Sequence, residues 1–119
     1  MTHWFDNDDM WRIFYDCMFD RSSFKRAQQE CSDILALIKA PVKTVLDLAC
    51  GPGRHVAGFA QQNLTVVGVD LSGYLLNCAA HHIDQKSLNA TLVQADLLAY
   101  EPSQTFDLIT NLFSSFGYF

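Results

Sequence analysis

The sequence predicts an α/β protein with a parallel β-sheet, and three features support this fold class. Short apolar segments typical of buried strands alternate with amphipathic helical patterns after residue 41. A glycine-bearing loop joins the first strand pattern to a helical one. Polar residues follow the strand patterns directly, at the edge where parallel sheets bind their ligands. Strands that alternate with helices also imply right-handed crossovers.

The apolar periodicity places the alternating elements along the chain. Strands are expected at residues 42–48, 64–69, 90–94 and 106–110. Helices are expected at residues 54–62 and, with Ser72 as N-cap, at 72–82. Two further helices are expected before the first strand. One covers about residues 8–20, and the other begins at Ser22 or Ser23 and ends at Pro41.

Composition and charge restrict the class of protein. The chain has 119 residues, half of them hydrophobic, which suits one globular domain. Its formal net charge of −5 argues against a general nucleic-acid-binding surface. The four cysteines form no CxxC pair, so reduced thiols in a cytoplasmic protein are expected. No apolar run reaches the length of a membrane span, and the acidic, aromatic N-terminus is unlike a signal peptide.

The stretch from Thr44 to His55 is the pattern around which the rest of the sequence is organised. Apolar residues lead to Asp47, a tight loop follows, and a helical pattern then begins. Gly51 and Gly53 in this loop let a ligand approach the backbone and reach positive φ without steric cost. An acidic strand end beside a glycine loop and a helix N-terminus predicts a site for a small nucleotide-like ligand.

A polar residue stands at the end of each expected strand: Asp47, Asp70, Asp96 and Asn111. Because the carboxyl ends of parallel strands share one edge, these residues are expected in one crevice. A dinucleotide-dependent oxidoreductase is one class with such a crevice. Its fingerprint G-x-G-x-x-G fits poorly, because a pattern that starts at Gly51 has Val56 in the third glycine position.

Four segments in order across residues 42–119 resemble the motifs of class I S-adenosylmethionine-dependent methyltransferases. Val-Leu-Asp-Leu-Ala-Cys-Gly-Pro-Gly-Arg-His resembles the first motif, with Ala49 in place of its first glycine. Val-Val-Gly-Val-Asp-Leu-Ser resembles the second motif and Gln-Ala-Asp-Leu-Leu the third. Phe-Asp-Leu-Ile-Thr-Asn-Leu-Phe-Ser-Ser-Phe-Gly-Tyr-Phe resembles the fourth in a bacterial-type branch that acts on small molecules.

This resemblance implies a Rossmann-like parallel sheet of order 3-2-1-4, with helices on both faces and N-terminal helices. It implies an N-terminal helical cap segment at 1–40 and a cofactor-binding portion at 41–119, which stops after the fourth of the family's strands. The implied activity is methyl transfer from S-adenosylmethionine to a small-molecule acceptor, without a metal. The residues implied to bind the cofactor are Asp47, Ala49, Gly51, Gly53, Asp70, Leu71, Asp96, Leu97, Asn111, Phe113 and Tyr15.

The resemblance also implies individual roles. Asp47 would orient the loop and the methionine amino end, Asp70 would accept both ribose hydroxyls, and Asp96 would accept from the adenine amino group. Asn111 and Phe113 would lie beside the sulfonium. Each acid also has a structural alternative. Asp47 could accept loop N–H groups, Asp70 could be a strand-end or N-cap acid, and Asp96 could be a turn aspartate. Asp70 is expected to face solvent or ligand, so that its removal leaves the fold intact.

Several alternatives stay open. Tyr15 could cover the cofactor or simply cap the core. No catalytic base can be identified, and a non-catalytic interaction subunit remains an alternative to the enzyme. Strand four is expected to be an apolar edge strand, which predicts self-association of the chain through that strand.

Overall fold

The structure is a computed structural model that describes residues 21–111, with side chains from residue 24 onward. Its elements, in chain order, are α1 (Arg21–Leu37), β1 (Thr44–Leu48), α2 (Arg54–Ala60), β2 (Thr65–Asp70), α3 (Gly73–Gln85), β3 (Ala90–Gln94) and β4 (Leu108–Thr110). The helix expected over residues 8–20, including Tyr15, lies outside the described residues. Phe113 and the aromatic residues that follow it lie outside them as well.

The elements follow the predicted order, with bounds that differ by a few residues. Ser72 is the N-cap of α3 as expected, since its Oγ accepts a hydrogen bond from the N–H of Leu75 at 3.2 Å. The expected cap of α1 is wrong, because the helix already includes Ser22 and Ser23. Among the helices of residues 21–111, none combines the length and the apolar character needed to cross a membrane.

The four strands form one parallel sheet in the order β3-β2-β1-β4, which confirms the predicted strand order. In the register, Asp47 at the end of β1 lies beside Gly68 of β2 and Thr110 of β4. Asp70 at the end of β2 lies beside Gln94 of β3. The carboxyl ends of the strands therefore meet at one edge of the sheet, as the sequence analysis required.

The three described helices lie on one face of this sheet, where α2 and α3 pack on the strands and α1 packs on α2. The buried cluster that joins helices to strands contains Cys31 of α1, Phe59 of α2, Ile83 of α3 and Val45 of β1. The sequence analysis expected helices on both faces. The two crossovers from β1 to β2 to β3 run in one direction, and right-handed crossovers of the same direction place their helices on the same face. The connection from β3 to β4 reverses direction, and residues 95–107 contain no helix.

α2 is buried from its second residue onward, although its sequence indicated a single inward face. Every residue from His55 to Ala60 is buried. The reason is the close approach of α1 at Gly58, where a Cβ would lie 2.8 Å from Cys31 Sγ and 3.2 Å from Gln28 Cα. The absent side chain of Gly58 lets α1 cover α2 from outside, so that α2 lies between α1 and the sheet.

β4 is two residues shorter than expected, because polar bonds hold the residue before it. Asp107 Oδ2 accepts from the N–H of Lys43 at 2.8 Å and of Thr44 at 3.2 Å, and the N–H of Asp107 donates to Thr44 Oγ1 at 3.0 Å. The bonds from Lys43 and Thr44 stabilise the carboxylate and lower the pKa of Asp107. These side-chain hydrogen bonds hold Asp107, the residue before β4, against the start of β1. They take the place of the backbone hydrogen bonds that a longer β4 would make there.

Candidate functional site

The loop between β1 and α2 is fastened to the end of β2 by backbone hydrogen bonds. The N–H of Cys50 donates to the carbonyl of Val69 at 3.0 Å, and the N–H of Gly53 donates back to the carbonyl of Cys50 at 3.1 Å. The carbonyl of Gly53 in turn accepts from the N–H of Ala57 at 2.8 Å, which begins α2. The loop is therefore a fixed turn at the carboxyl edge of the sheet.

Three residues of this loop have positive φ: 57° at Ala49, 59° at Gly51 and 83° at Gly53. Glycine adopts this region freely, whereas an alanine there is strained by about 1–2 kcal/mol. The sequence analysis noted that Ala49 replaces the family's glycine. The structure adds the physical consequence, because Ala49 holds a left-handed conformation with a buried side chain.

The two loop glycines serve different purposes. Around Gly51, no heavy atom of the described chain lies within 4 Å of where a Cβ would stand, so the backbone borders open space. At Gly53, a Cβ would lie 2.7 Å from Ala79 Cβ and 3.2 Å from Ala79 Cα. The space at Gly53 is thus taken by α3, which makes helix packing a sufficient reason for that glycine. Packing against a neighbouring element does not account for Gly51 in the same way, because a Cβ there would meet no described atom.

Asp70 ties the loop to the start of α3. Its Oδ2 accepts from the N–H of Gly51 at 2.8 Å, and its Oδ1 accepts from the N–H of Ser72 at 2.9 Å. Asp70 was expected to face solvent or ligand; only 1% of it is exposed, so it does not face solvent. The loop N–H acceptor is also Asp70, and not Asp47 as one sequence alternative had it.

Asp47 is buried beneath the same loop, with 2% of its surface exposed. Its Oδ1 accepts a hydrogen bond from the hydroxyl of Thr110 at 3.0 Å, across the β1–β4 pair. Thr110 was not identified from the sequence. The feature that could have identified Thr110 is its position at the end of β4, because the strand register pairs that position with Asp47.

Burial raises the pKa of Asp47 to about 7, because the charged form loses its hydration. The hydrogen bond from Thr110 opposes this rise, the nearby Asp70 carboxylate adds to it, and the Arg54 guanidinium opposes it. Asp47 is therefore poised between its neutral and ionised forms near neutral pH. A cation placed beside it would favour the ionised form.

The remaining predicted residues lie along the same edge. Asp96 follows β3 and is exposed, and its Oδ1 accepts from the N–H of Leu98 at 2.9 Å in a tight turn. Leu97 in this turn is half-buried. Leu71 follows Asp70, and its carbonyl accepts from Gln94 Nε2 at 3.0 Å. Asn111 follows Thr110 directly and is exposed.

The described part of the chain offers little support for nucleophilic or metal chemistry. Burial raises the pKa of the Cys50 thiol well above its usual range, and the Asp47 and Asp70 carboxylates add to this rise. The thiol is therefore protonated and unreactive. Within residues 21–111, no group of three or more His, Cys, Asp or Glu side chains is arranged to hold a metal ion.

The sequence analysis missed the pair that joins α1 to α2. His55 is 3% exposed, and its Nε2 lies 3.1 Å from Glu30 Oε1. Burial lowers the pKa of His55, as does the neighbouring Arg54, while Glu30 opposes this shift. No local pattern marks this pair, because its two members are 25 residues apart.

A fixed glycine loop, buried acids at two strand ends and a parallel sheet define a ligand-binding α/β domain of the nucleotide-binding kind. Residues 45–119 match the methyltransferase domain family. The chain belongs to this family.

Three relatives show how far the similarity extends. The chain is 29% identical over 116 residues to the dTDP-3-amino-3,4,6-trideoxy-alpha-D-glucopyranose N,N-dimethyltransferase of Streptomyces venezuelae, which covers 95% of this chain and 45% of that protein. The crystal structure of Streptomyces venezuelae DesVI matches with a TM-score of 0.68 and 29% identity, over 92% of this chain and 44% of that one.

The third is the SAM-bound structure of CalS10, an amino pentose methyltransferase from Micromonospora echinaspora. It matches with a TM-score of 0.65 and 25% identity, over 87% of this chain and 42% of that one. The chain therefore spans less than half the length of these relatives.

Proposed function

We propose that this chain is the cofactor-binding part of an S-adenosylmethionine-dependent methyltransferase that acts on a small molecule. The observation that carries the proposal is the hydrogen bond from the N–H of Gly51 to the buried carboxylate of Asp70. It fixes the glycine loop at the carboxyl edge of the sheet, where a Cβ on Gly51 would meet no described atom within 4 Å. Membership of the methyltransferase domain family supports the same activity. The amino-sugar methyltransferases among the relatives support a small-molecule acceptor.

The residues at this edge fit the chemical groups of the cofactor. Asp70 stands at the end of β2, where it holds the N–H groups of Gly51 and Ser72, and we propose that its carboxylate is also the acceptor for the ribose hydroxyls. Because the pKa of Asp47 is about 7, its carboxyl group can ionise beside a positively charged amino group. In the described chain, the second carboxylate oxygen of Asp96 makes no hydrogen bond, so it is available to an exocyclic amine.

When bound, S-adenosylmethionine supplies a methyl group activated by its sulfonium. The role that we propose for the chain is binding and orientation. Asp70 and the loop hold the cofactor in register, and the buried surroundings of Asp47 exclude water from the amino end. We assign no catalytic base to residues 21–111, in keeping with a reaction that depends on alignment.

The experiment that tests this function is calorimetric titration with S-adenosylmethionine, S-adenosylhomocysteine and NAD. We expect the first two to bind and NAD not to bind. Asp70→Asn is expected to weaken binding of S-adenosylmethionine by about ten- to a hundredfold, or about 1.5–3 kcal/mol, because one charged acceptor is lost. It should also lower the free energy of unfolding by about 1–3 kcal/mol, since one buried N–H loses its partner.

Two further variants make this experiment decisive. Asp96→Ala removes an exposed carboxylate at the same edge and is expected to weaken binding without loss of the fold. Asp84→Asn, on an exposed position of α3, is the matched control and should leave binding unchanged. Binding of NAD as tight as that of S-adenosylmethionine would support the oxidoreductase alternative. If none of the three ligands binds, the result would favour the non-catalytic interaction subunit.

We also propose that α1 belongs to an N-terminal cap segment, 1–40, that precedes the cofactor-binding portion, 41–119. The support is the packing of α1 on the outer side of α2 at Gly58. With its net charge of −5 the chain is proposed not to bind nucleic acid. The buried, unbridged thiols of Cys31 and Cys50 support a cytoplasmic location.

Self-association through β4 is a further expectation of this proposal. Within residues 21–111, β4 has a strand neighbour on one side, and Ile109 is 57% exposed. An exposed edge with an apolar side chain favours pairing with a second chain. Sedimentation of the wild-type chain should show dimers or larger species, and Ile109→Lys should shift it toward the monomer. Leu98→Lys, at a residue that is 89% exposed elsewhere, should not. A monodisperse wild-type monomer would contradict this expectation.

A further inference from the structure

A cavity lies among the three helices and extends from Arg54, at the start of α2, to Gln85 and Lys86, at the end of α3. Its volume is about 340 Å³, and in the described chain its walls come from all three helices and from no strand. Phe24 and Lys25 belong to α1, Arg54 to α2, and His82 to α3, with Lys86 just after α3. We call this space the helix cavity.

The charge of the helix cavity is of one sign. Among the described residues that line it, the titratable side chains are Lys25, Arg54, His82 and Lys86, and none is a carboxylate. Among acids, Glu30 does most to favour the charged form of Arg54. Its carboxylate also lies within hydrogen-bond distance of His55 Nε2. A concentration of basic groups stands out in a chain whose net charge is −5.

Electrostatic effects on two of these groups agree with a positive local field. Burial lowers the pKa of His82, and the neighbouring side chains of His81 and Lys86 lower it further. Burial also lowers the pKa of Arg54; Glu30 opposes that shift and Arg26 adds to it. An anion in the cavity would relieve the repulsion among these groups.

The other lining groups suit a small polar ligand. Gln28, Gln61 and Gln85 bring side-chain amides, which can donate hydrogen bonds. The rings of Phe24 and His82 lie with centroids 4.2 Å apart and form one wall. The volume is that of a small-molecule site, at the lower end of the usual range of about 300–1,000 Å³.

We propose that the helix cavity binds a phosphate-bearing small molecule, at a site separate from the proposed cofactor site. Three cationic side chains, those of Lys25, Arg54 and Lys86, line one space together with the His82 ring, and this favours a ligand with more than one negative charge. A phosphate or pyrophosphate group meets this need, because its several acceptor oxygens bind several cationic donors at once. A carboxylate of equal charge is the chemical competitor that the test must separate.

The test uses the full chain saturated with S-adenosylhomocysteine, titrated with inorganic pyrophosphate at constant ionic strength. Lys25→Gln and Lys86→Gln remove exposed basic groups and are expected to raise the dissociation constant about tenfold each, since each removes a charged hydrogen bond. Lys39→Gln, an exposed lysine outside the cavity, is the matched control and should leave it unchanged. Malonate, a dianion without phosphate, should bind more weakly than pyrophosphate.

Failure of pyrophosphate to bind the wild-type chain would overturn the proposal. Binding that is insensitive to both lysine substitutions would also overturn it, and equal binding of malonate would overturn the assignment to phosphate. Binding of S-adenosylmethionine to the same variants, measured separately, is expected to be unchanged. A failure at the helix cavity is therefore distinguishable from a failure of the proposed function.

Discussion

Replacement of Gly53 by alanine is expected to lower the free energy of unfolding by about 2–5 kcal/mol, because it combines backbone strain with overpacking. With φ at +83°, the residue is in a region that alanine adopts only under strain. Its new Cβ would also stand 2.7 Å from Ala79 Cβ, between α2 and α3. Denaturant unfolding monitored by circular dichroism measures the change.

Gly51→Ala is the matched control for this prediction, because the two glycines share a positive φ but differ in surroundings. At Gly51 a Cβ meets no described atom within 4 Å, so only the strain of about 1–2 kcal/mol applies. Gly51→Ala should therefore affect cofactor binding more than stability, and Gly53→Ala should do the reverse. Equal losses of stability in both variants would show that packing against α3 is not the reason for Gly53.

A double-mutant cycle separates the steric part of the Gly53 effect. Ala79→Gly removes the methyl group that the new side chain would meet. By itself it also destabilises α3, because glycine has a lower helix propensity than alanine. The double variant is expected to be more stable than the sum of the single effects predicts, with a coupling of about 1–2 kcal/mol. Additive effects would assign the whole loss to backbone strain.

The second large effect is the pH dependence that Asp47 imposes on stability. Its pKa in the folded chain is about 7, against an ordinary value of 3.8. Between these two pH values the folded chain holds a proton that the unfolded chain has released. The contribution of Asp47 to stability is therefore complete below about pH 4, and it is lost as pH rises towards 7. The slope approaches about 1.4 kcal/mol per pH unit within that window.

Asp47→Asn isolates this contribution. The amide oxygen still accepts from the Thr110 hydroxyl, but the side chain no longer ionises. We expect the variant to unfold with nearly wild-type stability at pH 4 and to be more stable than wild type by several kcal/mol at pH 8. His55 and His82 titrate in both proteins, so the difference between the two curves reports Asp47. A difference that does not change with pH would contradict the buried, poised carboxyl.

The same group provides a check on ligand binding. If the amino end of the cofactor lies beside Asp47, its positive charge favours the carboxylate and lowers the pKa. Titration with S-adenosylmethionine at a pH just below 7 should then release protons, seen as a binding heat that depends on the buffer. In Asp47→Asn this proton release should disappear. Release that persists would locate the titrating group elsewhere.

The sequence by itself determined the strands, the loop and the acids at the strand ends. Apolar runs and the helical periods between them depend on near neighbours in the chain, so they can be identified without the fold. The strand order came from the resemblance of the motifs, and the observed order β3-β2-β1-β4 agrees with it. The rule that parallel strands end at one edge then brought Asp47 and Asp70 together.

Tertiary structure alone decided what those acids do and why the glycines are needed. Asp70, and not Asp47, accepts the loop N–H of Gly51, because the end of β2 directs its carboxylate to the loop 19 residues earlier. Gly53 faces α3, and a residue beyond the range of any local pattern, Ala79, occupies its space. The pKa of Asp47 is set by burial and by neighbours on β2 and β4. These properties arise from contacts between residues that are far apart in the chain, and local sequence patterns do not reveal such contacts.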